Sequence, residues 1–117
     1  MANIKEFIND LNNMVLQGKP LEAFEKYYDD EIIMQENEQV PTIGKEANRK
    51  REFVFFDNIT EFRDAHIVDV TYGESTTMVI WHYDYTHKEW GVRNYTQVSV
   101  QNWRNGKIVK EKFFYAN

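Results

Sequence analysis

Cysteine is absent from the 117 residues. That excludes a disulfide scaffold, a thiol nucleophile and any thiolate metal site, and it fits a reducing compartment. Histidine is scarce: His66, His82 and His87 are the only three. No pair of them has the i,i+4 helical spacing of zinc enzymes, so neither a metal nor a cofactor is expected. The chain has no glycine-rich phosphate loop and no nucleophile elbow. No apolar run approaches the roughly 20 residues needed to span a bilayer. The first ten residues, MANIKEFIND, mix charges among apolar side chains and contain no signal-peptide core. A cytoplasmic protein without membrane association is the expectation. Positive charge is also in deficit, with a net charge of -5. That argues against nucleic acid, whose binding rests on phosphate neutralisation. The one basic run, Arg49-Lys50-Arg51, reads as the solvated face of a helix.

Aromatic residues, by contrast, make up 15% of the chain. At that density they are expected to build a core and to line a cavity for a small apolar molecule. The length suits one domain spanning 1–117, large enough to bury a core without disulfides.

Apolar periodicity orders the elements. Ile4, Phe7, Ile8, Leu11 and Val15 form a helical stripe, with Asn3 and Glu6 as a capping box and Gly18 just past its end. Pro20 opens a second helix that buries Leu21, Phe24 and Tyr28 and stops near Asp29-Asp30. Ile32-Ile33-Met34 is a short strand, and Gln35 to Thr42 a polar loop. A third helix follows Gly44 to about Phe56, with Ala47, Val54 and Phe55 on its apolar side. The period then switches to two, giving strands over Phe62–Thr71, Thr76–Thr86, Val92–Trp103 and Lys107–Tyr115. Asn105-Gly106 signals a tight hairpin between the last two. Helices followed by a meander predict an α+β fold built on an antiparallel sheet.

Three stretches carry a family likeness: Tyr28-Asp29-Asp30-Glu31-Ile32-Ile33, Ile43-Gly44-Lys45-Glu46-Ala47 and Asn105-Gly106-Lys107-Ile108-Val109. In their order and spacing the chain resembles the SnoaL-like and ketosteroid isomerase-like families of the nuclear transport factor 2-like superfamily. The resemblance implies three N-terminal helices packed on a strongly curved antiparallel sheet that forms a cone-shaped barrel with a pocket. In the steroid isomerases a carboxylate near the end of the first strand shuttles a proton, and that position matches Gln35 or Glu36. Their tyrosine donor matches Leu11 and their neutral acid matches Ser99, or Val98 or Val100 if the register slips, so that oxyanion hole is absent here. SnoaL-like members often carry histidine where this chain has Glu111.

Glu36 and Glu111 are accordingly the candidate catalytic residues. A two-residue turn at Asn105-Gly106 would pair Val100 with Glu111 and Val98 with Phe113. Glu111 would then share an apolar face with Val98, Val100, Val109, Phe113 and Tyr115, opposite a wet face of Gln97, Ser99, Gln101, Lys110 and Lys112. A bulge would exchange the faces. Either His82 with Asp84, or Trp81, Tyr83 and Tyr85, line the cavity from the strand over 76–86; the aromatic set is preferred. Tyr95, Phe113 and Tyr115 complete the candidate ligand-binding set with Trp81, Tyr83 and His82. Apolar residues on both sheet faces, at Ile80, Trp81, Trp103 and Phe114, point to a homodimer. Two functions compete. One is a cofactor-independent isomerase, cyclase or dehydratase acting on a small apolar carbonyl compound; the other is a noncatalytic binding or dimerisation module.

Overall fold

The computed structural model describes residues 3–116, so Met1, Ala2 and Asn117 of the expected 1–117 domain lie outside it. The chain runs through α1 (Ile4–Leu16), α2 (Pro20–Tyr27), β1 (Tyr28–Glu36), β2 (Thr42–Ile43) and α3 (Lys45–Asp57). β3 (Ile59–Tyr72), β4 (Thr76–His87), β5 (Gly91–Arg104) and β6 (Lys107–Phe114) follow. The strands form one sheet in the order β2-β1-β6-β5-β4-β3.

Three features differ from the sequence expectation. The third helix is not N-terminal to the sheet, because β1 and β2 precede it. β1 pairs with β6 in parallel, since the meander ends by returning its last strand to the flank of the first. The sheet is curved but unclosed, with β3 and the two-residue β2 as its edges.

Local chemistry explains the element ends. The Asn3 side chain accepts from the Glu6 backbone N–H at 3.2 Å, capping α1. Ile8 and Leu11 bury beneath that helix, joined by Phe24, Tyr27, Ile32, Val79, Trp103 and Ile108 in the core. Asn48 fastens α3 to the β1–β2 corner. Its amide lies 3.3, 3.0 and 2.8 Å from the Ile32, Thr42 and Gly44 carbonyls. The inward stripe of α3 is thus Asn48, Glu52 and Phe55, whereas Ala47 and Val54 of the expected apolar side are exposed.

The last hairpin also departs from the expected register. Asn105 and Gly106 both have positive φ (53° and 77°), as a tight primed turn requires. One residue later the ladder slips: Trp103 pairs with Ile108, but Asn102 pairs with Lys110, leaving Val109 as a bulge. Glu111 therefore faces Gln101, not Val100, and Val98 faces Phe114. Because side chains alternate, the slip changes which face of β5 accompanies Glu111. Gln97, Ser99 and Gln101 are buried with Glu111, while Lys110 and Lys112 fall on the other side with Val98 and Val100. The polar face goes inside without taking a lysine with it.

Candidate functional site

Between the three helices and the inner face of the sheet lies a cavity of about 1090 Å³. Alternation along β4 turns Trp81, Tyr83 and Tyr85 into it, and β5 adds Tyr95, Gln97, Ser99 and Gln101. β6 supplies Glu111 and Phe113. Trp81 and Tyr83 stack at 5.4 Å, and the Tyr85 and Tyr95 hydroxyls lie 2.8 Å apart.

Glu111 is only 3% exposed. Tyr28 Oη donates to its Oε1, and Gln101 Nε2 donates to its Oε2 at 2.7 Å. Burial pushes its carboxyl up to about 7, opposed by those two hydrogen bonds, which favour the anion. Glu52, from α3, lines the same cavity and has no hydrogen-bond partner among the described residues. Burial pushes Glu52 up to about 8, aided by the charges of Glu111 and Glu36. Burial also raises the Tyr83 and Tyr28 hydroxyls, with Glu111 the next cause for both and Glu52 a further one. The inner chamber therefore holds two carboxyls and two phenols that sense one another.

Glu36 occupies a different setting at the end of β1. Arg51 Nη2 lies 2.6 Å from its Oε2, and Tyr115 Oη donates to its Oε1 at 2.8 Å. Its side chain is 33% exposed.

Of the residues singled out from sequence, Glu36, Glu111, Trp81, Tyr83, Tyr95 and Phe113 line the cavity. Tyr115 sits at the rim through its bond to Glu36. His82 lies on the opposite sheet face, stacked on His66 at 5.4 Å and 3.1 Å from the Thr96 hydroxyl, because the pleat that turns Trp81 and Tyr83 inward turns His82 out. Glu52, Tyr28 and Gln101 were missed. The only signal for Glu52 was its place between Asn48 and Phe55 on one helical stripe, and a stripe containing Asn and Glu does not read as a buried face. Among the described residues, no group of three or more His, Asp or Glu side chains is arranged to hold a metal ion, and no helix is long and apolar enough to cross a membrane.

The SnoaL-like domain family matches residues 2–115. No curated protein matches the sequence. Among solved structures, a protein assigned as a SnoaL-like polyketide cyclase from Mesorhizobium loti is similar at 26% identity and a TM-score of 0.87, covering 97% of this chain and 99% of its own. A protein of cystatin-like fold from Xanthomonas campestris has a TM-score of 0.84 at 11% identity, covering 100% and 92%. A protein of ketosteroid isomerase-like fold from Catenulispora acidiphila, in complex with trimethylamine, has a TM-score of 0.69 at 10% identity, covering 83% and 75%.

Proposed function

The chain belongs to the SnoaL-like domain family, and from that premise we propose that it is a cofactor-independent acid-base enzyme, an isomerase, cyclase or dehydratase acting on a small apolar carbonyl compound. The observation that carries this reading is Glu111: a buried carboxylate held by a tyrosine inside a cavity lined by aromatic rings. A carboxyl poised near neutral pH is suited to take a proton at one step and return it at the next. In this scheme Glu111 removes a proton from the carbon beside the carbonyl. Glu52, protonated at neutral pH, and the Tyr83 hydroxyl donate to the oxygen on which charge develops. They take over the work of the tyrosine and neutral acid of the steroid isomerases, whose positions match Leu11 and Ser99, Val98 or Val100 here. Glu36 has a lesser part at the mouth.

Deuterium exchange tests the scheme. In D₂O, apolar ketones and β-dicarbonyl compounds should exchange their α-protons faster with the protein, as read by proton NMR. Glu111→Gln should reduce the acceleration by roughly 10²–10⁴-fold, and Glu36→Gln far less. If ligands raise the melting temperature but no compound exchanges, the alternative stands: a binding module that holds its ligand without reacting.

The homodimer also belongs to this proposal, through Ile80 and Phe114 of the four residues expected to form it. Trp81 and Trp103 are core residues. On the outer sheet face, Ile80, Val98 and Phe114 form one cross-strand row, beside Met78 paired with Val100. Met78 and Phe114 are exposed. A second copy would cover this strip, and Val98→Lys should then shift sedimentation to the monomer.

A further inference from the structure

Glu111 stands at the end of a row of side chains that crosses the sheet. Thr77 on β4 is the ladder partner of Gln101 on β5, and Gln101 that of Glu111 on β6. Trp103, two residues beyond Gln101 on the same face of β5, reaches diagonally to Thr77, its Nε1 2.9 Å from the hydroxyl. The Thr77 hydroxyl lies 2.7 Å from Gln101 Oε1, and Gln101 Nε2 lies 2.7 Å from Glu111 Oε2. All four side chains are buried.

The direction of the bonds in this row is set from its two ends. An indole nitrogen can only donate, and a carboxylate can only accept. Thr77 accepts from Trp103 with one lone pair and turns its own proton to Gln101. The Gln101 oxygen takes that proton, which leaves its NH₂ group facing Glu111. The two ends of an amide look alike in shape, so without Thr77 the side chain could flip and present its oxygen to the carboxylate. We propose that Trp103 and Thr77 are positioning residues that lock Gln101 as a hydrogen-bond donor to Glu111. They touch no cavity content; they act through Gln101. The Val109 bulge makes the row possible, since it is what sets Glu111 opposite Gln101.

This inference rests on the reading of Glu111 as the proton-transferring group, and it is tested without substrate. Three titratable side chains face Glu111: Tyr28 from β1, Tyr83 from β4 and Glu52 from α3. Work in a Glu52→Gln background removes the one that titrates in the same range. In that background the Trp103 indole N–H resonance should move with pH at the midpoint of the Glu111 carboxyl carbon, because the row transmits the change of charge. The inflection should vanish when Glu111→Gln is added. Thr77→Val keeps the shape but removes the hydroxyl, and should raise the Glu111 midpoint by about one unit, a tenfold change, since the anion loses an enforced donor. Thr77→Ser should restore it. A flat indole resonance through the Glu111 titration would overturn the proposal, as would a folded Thr77→Val protein whose midpoint is unmoved. If the valine variant fails to fold, the indole titration decides alone. Absence of deuterium exchange with an intact row would instead overturn the enzymatic reading and leave the lock standing.

Discussion

Two glutamates line one cavity in opposite surroundings. Glu111 sits in the inner chamber, bonded only by neutral donors, with no cation against it. Glu36 sits at the mouth, where an arginine and a tyrosine hold it and water reaches it. On the function proposed above, the same side chain is a proton carrier in one place and a strut in the other. Nothing in the residue type decides this. What decides it is whether burial comes with a countercharge: desolvation without one raises the Glu111 carboxyl, whereas Glu36 meets an arginine and water.

The largest effect expected from this contrast is on stability as a function of pH. Glu111 has a folded pKa raised from 4.5 to about 7. Between these values the folded state binds more protons than the unfolded one, so stability falls as pH rises through that window. It is highest below 4.5 as far as this group is concerned, and the loss is complete above 7. A shift of that size corresponds to about 3 kcal/mol. Urea unfolding from pH 5 to pH 8 should show the decline, and Glu111→Gln should remove Glu111's share and leave a shallower slope from Glu52. The glutamine variant can keep both contacts by turning its oxygen to the Gln101 NH₂ and its own NH₂ to the Tyr28 hydroxyl, which also accepts, so no large pH-independent cost is expected. A wild-type profile that is flat across this range would put Glu111 in a polar setting like that of Glu36.

A smaller change follows from Tyr28. Its hydroxyl donates to Glu111 and is fully surrounded, so Tyr28→Phe removes one of the two donors and adds no volume. Above pH 7, where the carboxylate is charged, the variant should lose about 1–3 kcal/mol; near pH 5 it should lose less. Carbon NMR should show the Glu111 midpoint moving up. A midpoint that stays put would mean that burial alone, without the tyrosine, sets the proton affinity of this group.

How much of this was legible in the chain divides along the same line. The helices and the four long strands followed from periodicity, because burial imposes a period on each element; the two-residue β2, the start of β1 at Tyr28 and its parallel pairing with β6 did not. The inward turn of Trp81 and Tyr83 was only half legible: alternation puts the aromatic rings on one face and His82 with Asp84 on the other, and either set could line a cavity, the rings being preferred. The Glu111 neighbourhood was not. It depends on one bulged residue, Val109, and no composition marks it; a two-residue turn at Asn105-Gly106 fits both registers. The expected wet face of Gln97, Ser99 and Gln101 went inside because hydrogen bonds within the row satisfy it, and such pairing is a property of three strands together. Glu52 stayed hidden for the same reason: burial of a glutamate makes sense only once the cavity exists.

The smallest effect should come from Glu36. Arg51 and Glu36 meet at 2.6 Å, but their side chains are 49% and 33% exposed. Exposed pairs of this kind contribute at most about 1 kcal/mol, because water screens the attraction and holding two long side chains together costs entropy. Arg51→Ala should therefore lower stability by no more than about 1 kcal/mol. Raising the salt concentration should shrink even that difference, since the Debye length falls from about 10 Å at 0.1 M to about 3 Å at 1 M. Thr42, whose hydroxyl accepts from Arg51 Nη1 at 2.6 Å, anchors the arginine to β2 and offers a control: Thr42→Val should loosen the pair without altering any charge. Urea unfolding at two salt concentrations measures both variants. A loss for Arg51→Ala above about 2 kcal/mol, insensitive to salt, would mean that the mouth is as dry as the inner chamber and that Glu36 belongs with Glu111 after all.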